Sequence, residues 1–159
     1  MVFLFNTPVN AFMSGVKPDL DGGAALVVID GVIHKGPPGA NVTAGYGVFK
    51  NNTDKDISLT TFRSPVYDNL EVHSMEYTSD GTAKMKNVPI LTIPANGEAI
   101  LGKGGLHLMF MGNRRDIQLG EEILVVTFDT DEVRYMLNFK VIDPRESVKH
   151  DHSHDHHMH

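Results

Sequence analysis

Two histidines and several methionines stand at spacings that could bring them together. In the stretch LHLMFMG, Leu106, Leu108 and Phe110 alternate with His107, Met109 and Met111. Successive side chains of a β-strand point to opposite faces. The first set then makes an ordinary core face. The second makes either a row of soft or borderline metal donors or a slightly polar outer face. Residues 69–77, NLEVHSMEY, repeat the pattern, with Leu70 and Val72 on one side and Glu71, His73, Met75 and Tyr77 on the other. Met85 follows between Lys84 and Lys86, in a polar segment where no core needs it.

Donors two residues apart on one strand are separated by about 6.5–7 Å. One flat strand cannot chelate a metal at that spacing with short side chains. Long methionine arms that curl inward can, if a neighbouring strand supplies the other ligands. Taken singly, each residue has an ordinary reading. A histidine on a strand is a surface or core residue, and methionine fills irregular gaps in cores. The joint spacing shifts the balance: Met85 is twelve residues after His73, His107 is twenty-two after Met85, and Met109 is two after His107.

The elements that must position these residues are strands. Helical periodicity is hard to find. Short runs rich in β-branched and aromatic residues alternate with turn clusters. Strands are expected over 24–34, 42–50, 56–63, 69–77, 82–88, 98–101, 106–111, 121–128 and 132–142. Breakers such as GPPGAN, NNTDKD, IPANGE and GKGG separate them, and TSDG and DTDE read as hairpin turns. Many short strands at this spacing imply an all-β antiparallel sandwich or barrel.

Bulk properties narrow the function. The 159 residues suit one domain plus tails, with 41% apolar and 21% charged residues. The net charge of −6 and the lack of a basic stripe argue against nucleic acid as a partner. No run approaches the roughly 18 apolar residues of a membrane span. The chain has no cysteine, which excludes disulfides, zinc–cysteine sites, thiol catalysis and thiolate copper sites. No nucleophile–base pair with an orienting third group stands out, so no enzyme activity is expected.

The spacing His73, Met85, His107, Met109 resembles the motif H(M)x10Mx21HxM of the PCu(A)C periplasmic copper chaperones, formerly a domain of unknown function. The optional methionine after the first histidine is replaced by Ser74. Outside the motif, GPPGANVTAGYGVFKN, with Tyr46 and Asn51, is similar to the opening of that family. SPVYDNLEVHSM and NVPILTIPANGEAILGKGGLHLMFMG are similar to its later segments. The resemblance covers roughly residues 24–142. It implies a cupredoxin-like barrel with His73, Met85, His107 and Met109 as ligands.

The implied donor set agrees with ligand chemistry. Thioether sulfur is soft and favours Cu(I) over zinc or magnesium, and imidazole accepts copper in either state. Two histidines and two methionines form a neutral set suited to a monocation. A blue-copper electron-transfer site needs a thiolate, so its absence argues for carrying copper rather than cycling electrons.

Two segments flank the expected domain at 24–143. The tail at 144–159 ends in HDHSHDHHMH, with His150, His152, His154, His156, His157 and His159. It has no apolar face and is expected to be disordered. A purification tag is the bland alternative, but a tag is usually an uninterrupted histidine run. Read as native, it is a low-geometry secondary metal site for Cu(II) or Zn(II). Residues 1–23 read as a signal-peptide remnant or a flexible arm. The apolar run Val2 to Phe5 precedes Val9-Asn10-Ala11, a candidate cleavage signal without a basic region before it.

The resemblance therefore implies a periplasmic, monomeric Cu(I) chaperone that serves cytochrome c oxidase assembly. Its protein partner would be an oxidase subunit or another copper chaperone, and transfer would proceed by ligand exchange. The alternatives are a copper-sequestering protein without an oxidase client, which the histidine tail favours, and a structural β-sandwich interaction module.

Overall fold

The structure is a computed structural model that describes residues 21–146. Residues 1–20 of the N-terminal segment expected over 1–23, and residues 147–159 of the tail expected over 144–159, lie outside the described residues. Ten strands follow in order: β1 (Leu26–His34), β2 (Val42–Asn51), β3 (Ile57–Arg63), β4 (Tyr67–Tyr77) and β5 (Ala83–Asn87), then β6 (Leu91–Ile93), β7 (Glu98–Leu101), β8 (His107–Asn113), β9 (Glu122–Asp129) and β10 (Arg134–Ile142). The single helical element among the described residues is a 3-10 turn, Gly23–Ala25. No helix among them is long and apolar enough to cross a membrane.

The sheet order β4-β8-β2-β1-β10-β9-β3 closes on itself through a β3–β4 pairing, Phe62 opposite Leu70. The result is a seven-stranded barrel, with β5 added to β4, β6 to β3 and β7 to β2. Every pairing between strands is antiparallel except β1 with β10. The all-β antiparallel barrel expected from the sequence is the architecture observed. All nine expected strands are present, with ends displaced by at most two residues. The tenth, β6, went unread because a strand of three residues, enclosed by Pro89 and Pro94, is too short to show alternation.

Alternation sets the core. β9 and β10 bury every second residue, including Ile123, Val125, Tyr135, Leu137 and Phe139. A chain of aromatic contacts runs through the interior. Tyr67 meets Phe110 at 5.0 Å between ring centroids, Phe110 meets Phe139 at 6.0 Å, and Phe139 meets Phe49 at 6.2 Å. The first is tilted and the other two are edge to face, and aromatic pairs of this kind contribute about 0.5–1.5 kcal/mol each beyond burial of the rings. Gly45 lets β2 cross beside this chain, since a Cβ there would stand 2.6 Å from the Phe110 ring.

Asn51 is wholly buried and has all its polar atoms engaged. Its amide group donates to the carbonyls of Lys55 (2.7 Å) and Ile93 (3.0 Å), and its oxygen accepts from the Thr53 N–H (2.9 Å) and hydroxyl (2.7 Å). A buried polar group satisfied this fully fixes the loop after β2. Its place in the GPPGANVTAGYGVFKN segment is therefore structural.

Candidate metal centre

β8 lies between β2 and β4, and its alternation is the one expected: Leu108 and Phe110 have no exposed surface, while Met109 and Met111 on the other face are half-buried. Leu106, just before the strand, also packs against the core. On β4, Leu70 and Val72 are buried, and Glu71, His73 and Met75 are half-buried on the outer side. Beyond Val72 the strand runs out past the core and pairs with β5, whose five residues are all exposed.

The hairpin turn between β4 and β5 is built by Thr78 and Asp80. The Thr78 hydroxyl donates to Asp80, whose carboxylate also accepts from the Thr82 N–H at 3.0 Å. Gly81 adopts a left-handed φ of +84°, which other residues rarely tolerate. This turn fixes the register that sets Met75 opposite Met85 and His73 opposite Asn87.

The register of β4 with β8 places His73 directly opposite His107 and Glu71 opposite Met109. Paired residues of an antiparallel ladder share a face. The two imidazoles stand edge to face, 5.8 Å between centroids and 85° between planes. The Met85 sulfur lies 3.0 Å from His73 Nδ1. Met109 shares the His107 face, between Ala44 on β2 and Glu71 on β4. His107, Met85 and His73 are thus brought into one cluster, and Met109 stands one pair further along the same surface.

Hydrogen bonds aim both rings. His73 Nε2 is 2.8 Å from Glu71 Oε2. Hydrogen bonds from His73 first, and then from Asn69 at 2.8 Å, hold the Glu71 carboxyl below the usual carboxylate range. An ionised carboxylate only accepts, so Nε2 donates. In the neutral ring this leaves the Nδ1 lone pair facing the Met85 thioether. His107 Nδ1 lies 3.2 Å from the Gly105 carbonyl, which likewise only accepts, so Nε2 carries the lone pair there. The same carbonyl accepts from the Met75 N–H at 3.3 Å, tying the loop before β8 to β4. A carboxylate or carbonyl that fixes the imidazole tautomer from behind is the usual support of a metal-binding histidine. The sequence reading passed over Glu71 and Gly105. The available signal was Glu71 sharing the His73 face two residues away.

Exposure is graded across the cluster. His107 is 6% exposed and Met85 47%. Thioether sulfur beside imidazole nitrogen, with Glu71 behind one ring, suits a soft cation, and the Met85 side is open. Among the described residues no group of three or more His, Asp or Glu side chains forms a hard-metal site. His34, the remaining histidine there, packs its ring on Tyr46 at 4.9 Å and is not part of the cluster. The six tail histidines, His150 to His159, lie outside the described residues.

The copper-bound PCuAC domain from PmoF2 aligns with a TM-score of 0.61 at 11% identity, over 76% of this chain and 94% of that one, a likeness of fold. The apo form of DR1885 from Deinococcus radiodurans aligns with a TM-score of 0.58 at 27% identity, over 92% of this chain and 97% of that one. The CuI form of DR1885 aligns with a TM-score of 0.56 at 27% identity, over 82% and 83%. No curated protein matches. The family model described as "Putative lipoprotein LpqE-like" matches residues 26–134, most of the barrel. On that match the chain belongs to the LpqE-like family, and its barrel has the fold of the PCuAC domains.

Proposed function

We propose that the protein is an exported Cu(I) carrier that binds its cargo at His73, Met85, His107 and Met109. The observation that carries this reading is the convergence of His73 Nδ1 and Met85 Sδ, 3.0 Å apart, beside His107. Soft sulfur beside neutral imidazole is the donor chemistry that selects Cu(I). The CuI form of DR1885, at 27% identity, supports the same cargo and oxidation state. The LpqE-like lipoprotein family supports export, and the PCuAC resemblance supports a periplasmic location.

The proposed mode of action is transport rather than catalysis. Cu(I) enters from the open Met85 side, and the two thioethers are replaced one at a time by the ligands of an acceptor. Glu71 balances the single positive charge and keeps the His73 lone pair aimed. The acceptor proposed is the binuclear copper centre of cytochrome c oxidase, reached directly or through another copper chaperone. The barrel over 24–143 carries this site, and the tail over 144–159 provides a separate Cu(II) site. That histidine-rich tail also favours a second reading, copper sequestration without an oxidase client. A deletion strain separates the two, through a respiratory defect or through copper sensitivity.

Anaerobic Cu(I) titration of the full chain beside a chain ending at Arg145 tests the assignment. Both are expected to take one Cu(I) in the barrel, and the shorter chain is expected to lose most Cu(II) binding. Loss of Cu(I) from the shorter chain would refute the barrel site.

A further inference from the structure

The outer face of the β4–β5 hairpin holds one more soft donor that the four-residue site leaves unused. Met75 is directly opposite Met85 in the ladder. Side chains so paired stand on one face with Cβ atoms about 4.5–5.5 Å apart. Met75 is also two residues beyond His73, and so shares its face by strand alternation. Its neighbours Ser74 and Glu76 point the other way, and Glu76 pairs there with Lys86 at 3.2 Å. One face of the hairpin is therefore polar, and the other carries two thioethers.

Packing does not account for Met75. It is absent from the barrel core, and the β5 strand opposite it is exposed along its whole length. The donors instead form a track along the sheet surface. Met109, opposite Glu71, is at the inner end, the His107–His73 pair is next, and the Met75–Met85 pair is at the rim. Each step is one alternate position, about 6.5–7 Å. The buried His107 stands between the half-buried Met109 and the exposed Met85.

We propose that Met75 is a fifth copper donor, which exchanges with Met109 as Cu(I) moves between the depth of the site and its rim. This rests on the Cu(I) reading above. The Met109 sulfur–copper bond breaks and a Met75 sulfur–copper bond forms. The copper keeps its charge and its number of ligands, and no proton or electron moves. The ion then sits between the two hairpin thioethers, where an acceptor can reach it.

The test is anaerobic Cu(I) titration of the full chain labelled with 13C at the methionine methyls, assigned by single Met-to-Leu variants. Met136, on β10 at the opposite side of the barrel, is the internal reference. The second measurement is the rate of Cu(I) transfer to a chelating acceptor from the parent and from Met75→Leu, with far-UV circular dichroism confirming the fold. The expected result is that the Met75 methyl shifts with those of Met85 and Met109, and that Met75→Leu transfers copper several-fold more slowly. A response of Met85 and Met109 with Met75 unmoved and transfer unchanged would overturn the fifth donor and leave the four-residue site standing. No response from any of the three would overturn both.

Discussion

His73 and His107 face each other across β4 and β8, edge to face, each with one ring nitrogen already occupied by an oxygen acceptor. The register of two strands thus turns two separated histidines into a pair with defined tautomers. Removing either acceptor leaves the ring in place and changes where its lone pair points.

Glu71 should therefore matter to metal binding more than to folding. Glu71→Ala is expected to weaken Cu(I) binding by about tenfold or more, the usual effect of losing a carboxylate behind a ligating histidine. Glu71→Gln should lose less, since its amide oxygen still accepts from Nε2. Competition against a Cu(I) chelator measures both, and equal affinity in all three proteins would remove Glu71 from the site.

Met109→Leu should separate binding from stability. The swap nearly conserves volume and should cost less than about 1.5 kcal/mol of folding stability. Cu(I) affinity should fall, because leucine offers no donor. A variant that retains the parent affinity would exclude Met109 as a ligand.

Phe110→Ala should do the reverse of a ligand change. The ring is fully buried and lies between Tyr67 and Phe139. Truncation of such a ring typically costs about 3–5 kcal/mol. Urea denaturation should show a lowered midpoint at similar slope, and a midpoint equal to the parent's would contradict the aromatic chain as a source of stability.

The hairpin turn carries a pH signature. Hydrogen bonds from the Thr78 hydroxyl, then from the Thr82 N–H, hold the Asp80 carboxyl at about 2, below its ordinary 3.8. A depressed carboxyl stabilises the fold above the ordinary value and loses that contribution as pH falls through about 2. The β4–β5 turn should thus persist at pH 3. Carboxyl-carbon NMR titration checks it directly, and an Asp80 midpoint near 3.8 would mean that the turn is open in solution.

Much of this architecture was legible because amphipathic strands announce their inner face. LHLMFMG and NLEVHSMEY each showed which residues the core would take, and Leu108, Phe110, Leu70 and Val72 took those places. Position across strands was not legible. That His73 meets His107 rather than Met109 depends on β4–β8 register, which turn geometry and barrel closure set. The closing pair Phe62–Leu70 leaves no periodic trace. Neither does the Gly105 carbonyl, since a backbone acceptor has no sequence signature. Alternation placed Glu71 on the His73 face, but not the contacts of its two oxygens with His73 and Asn69.

β4 belongs to two structures at once. As far as His73 it pairs with β8 in the barrel wall, and beyond that residue it is one arm of a hairpin whose other strand is exposed. The hairpin can fray while the barrel stays intact, because its amides are held by ladder bonds with no core beneath them. A ligand held by Met85 would then stabilise mainly the hairpin against local opening, and thermal melting of the whole domain would register little of its binding energy. Amide hydrogen exchange at Lys84 to Asn87 is where occupancy would be written.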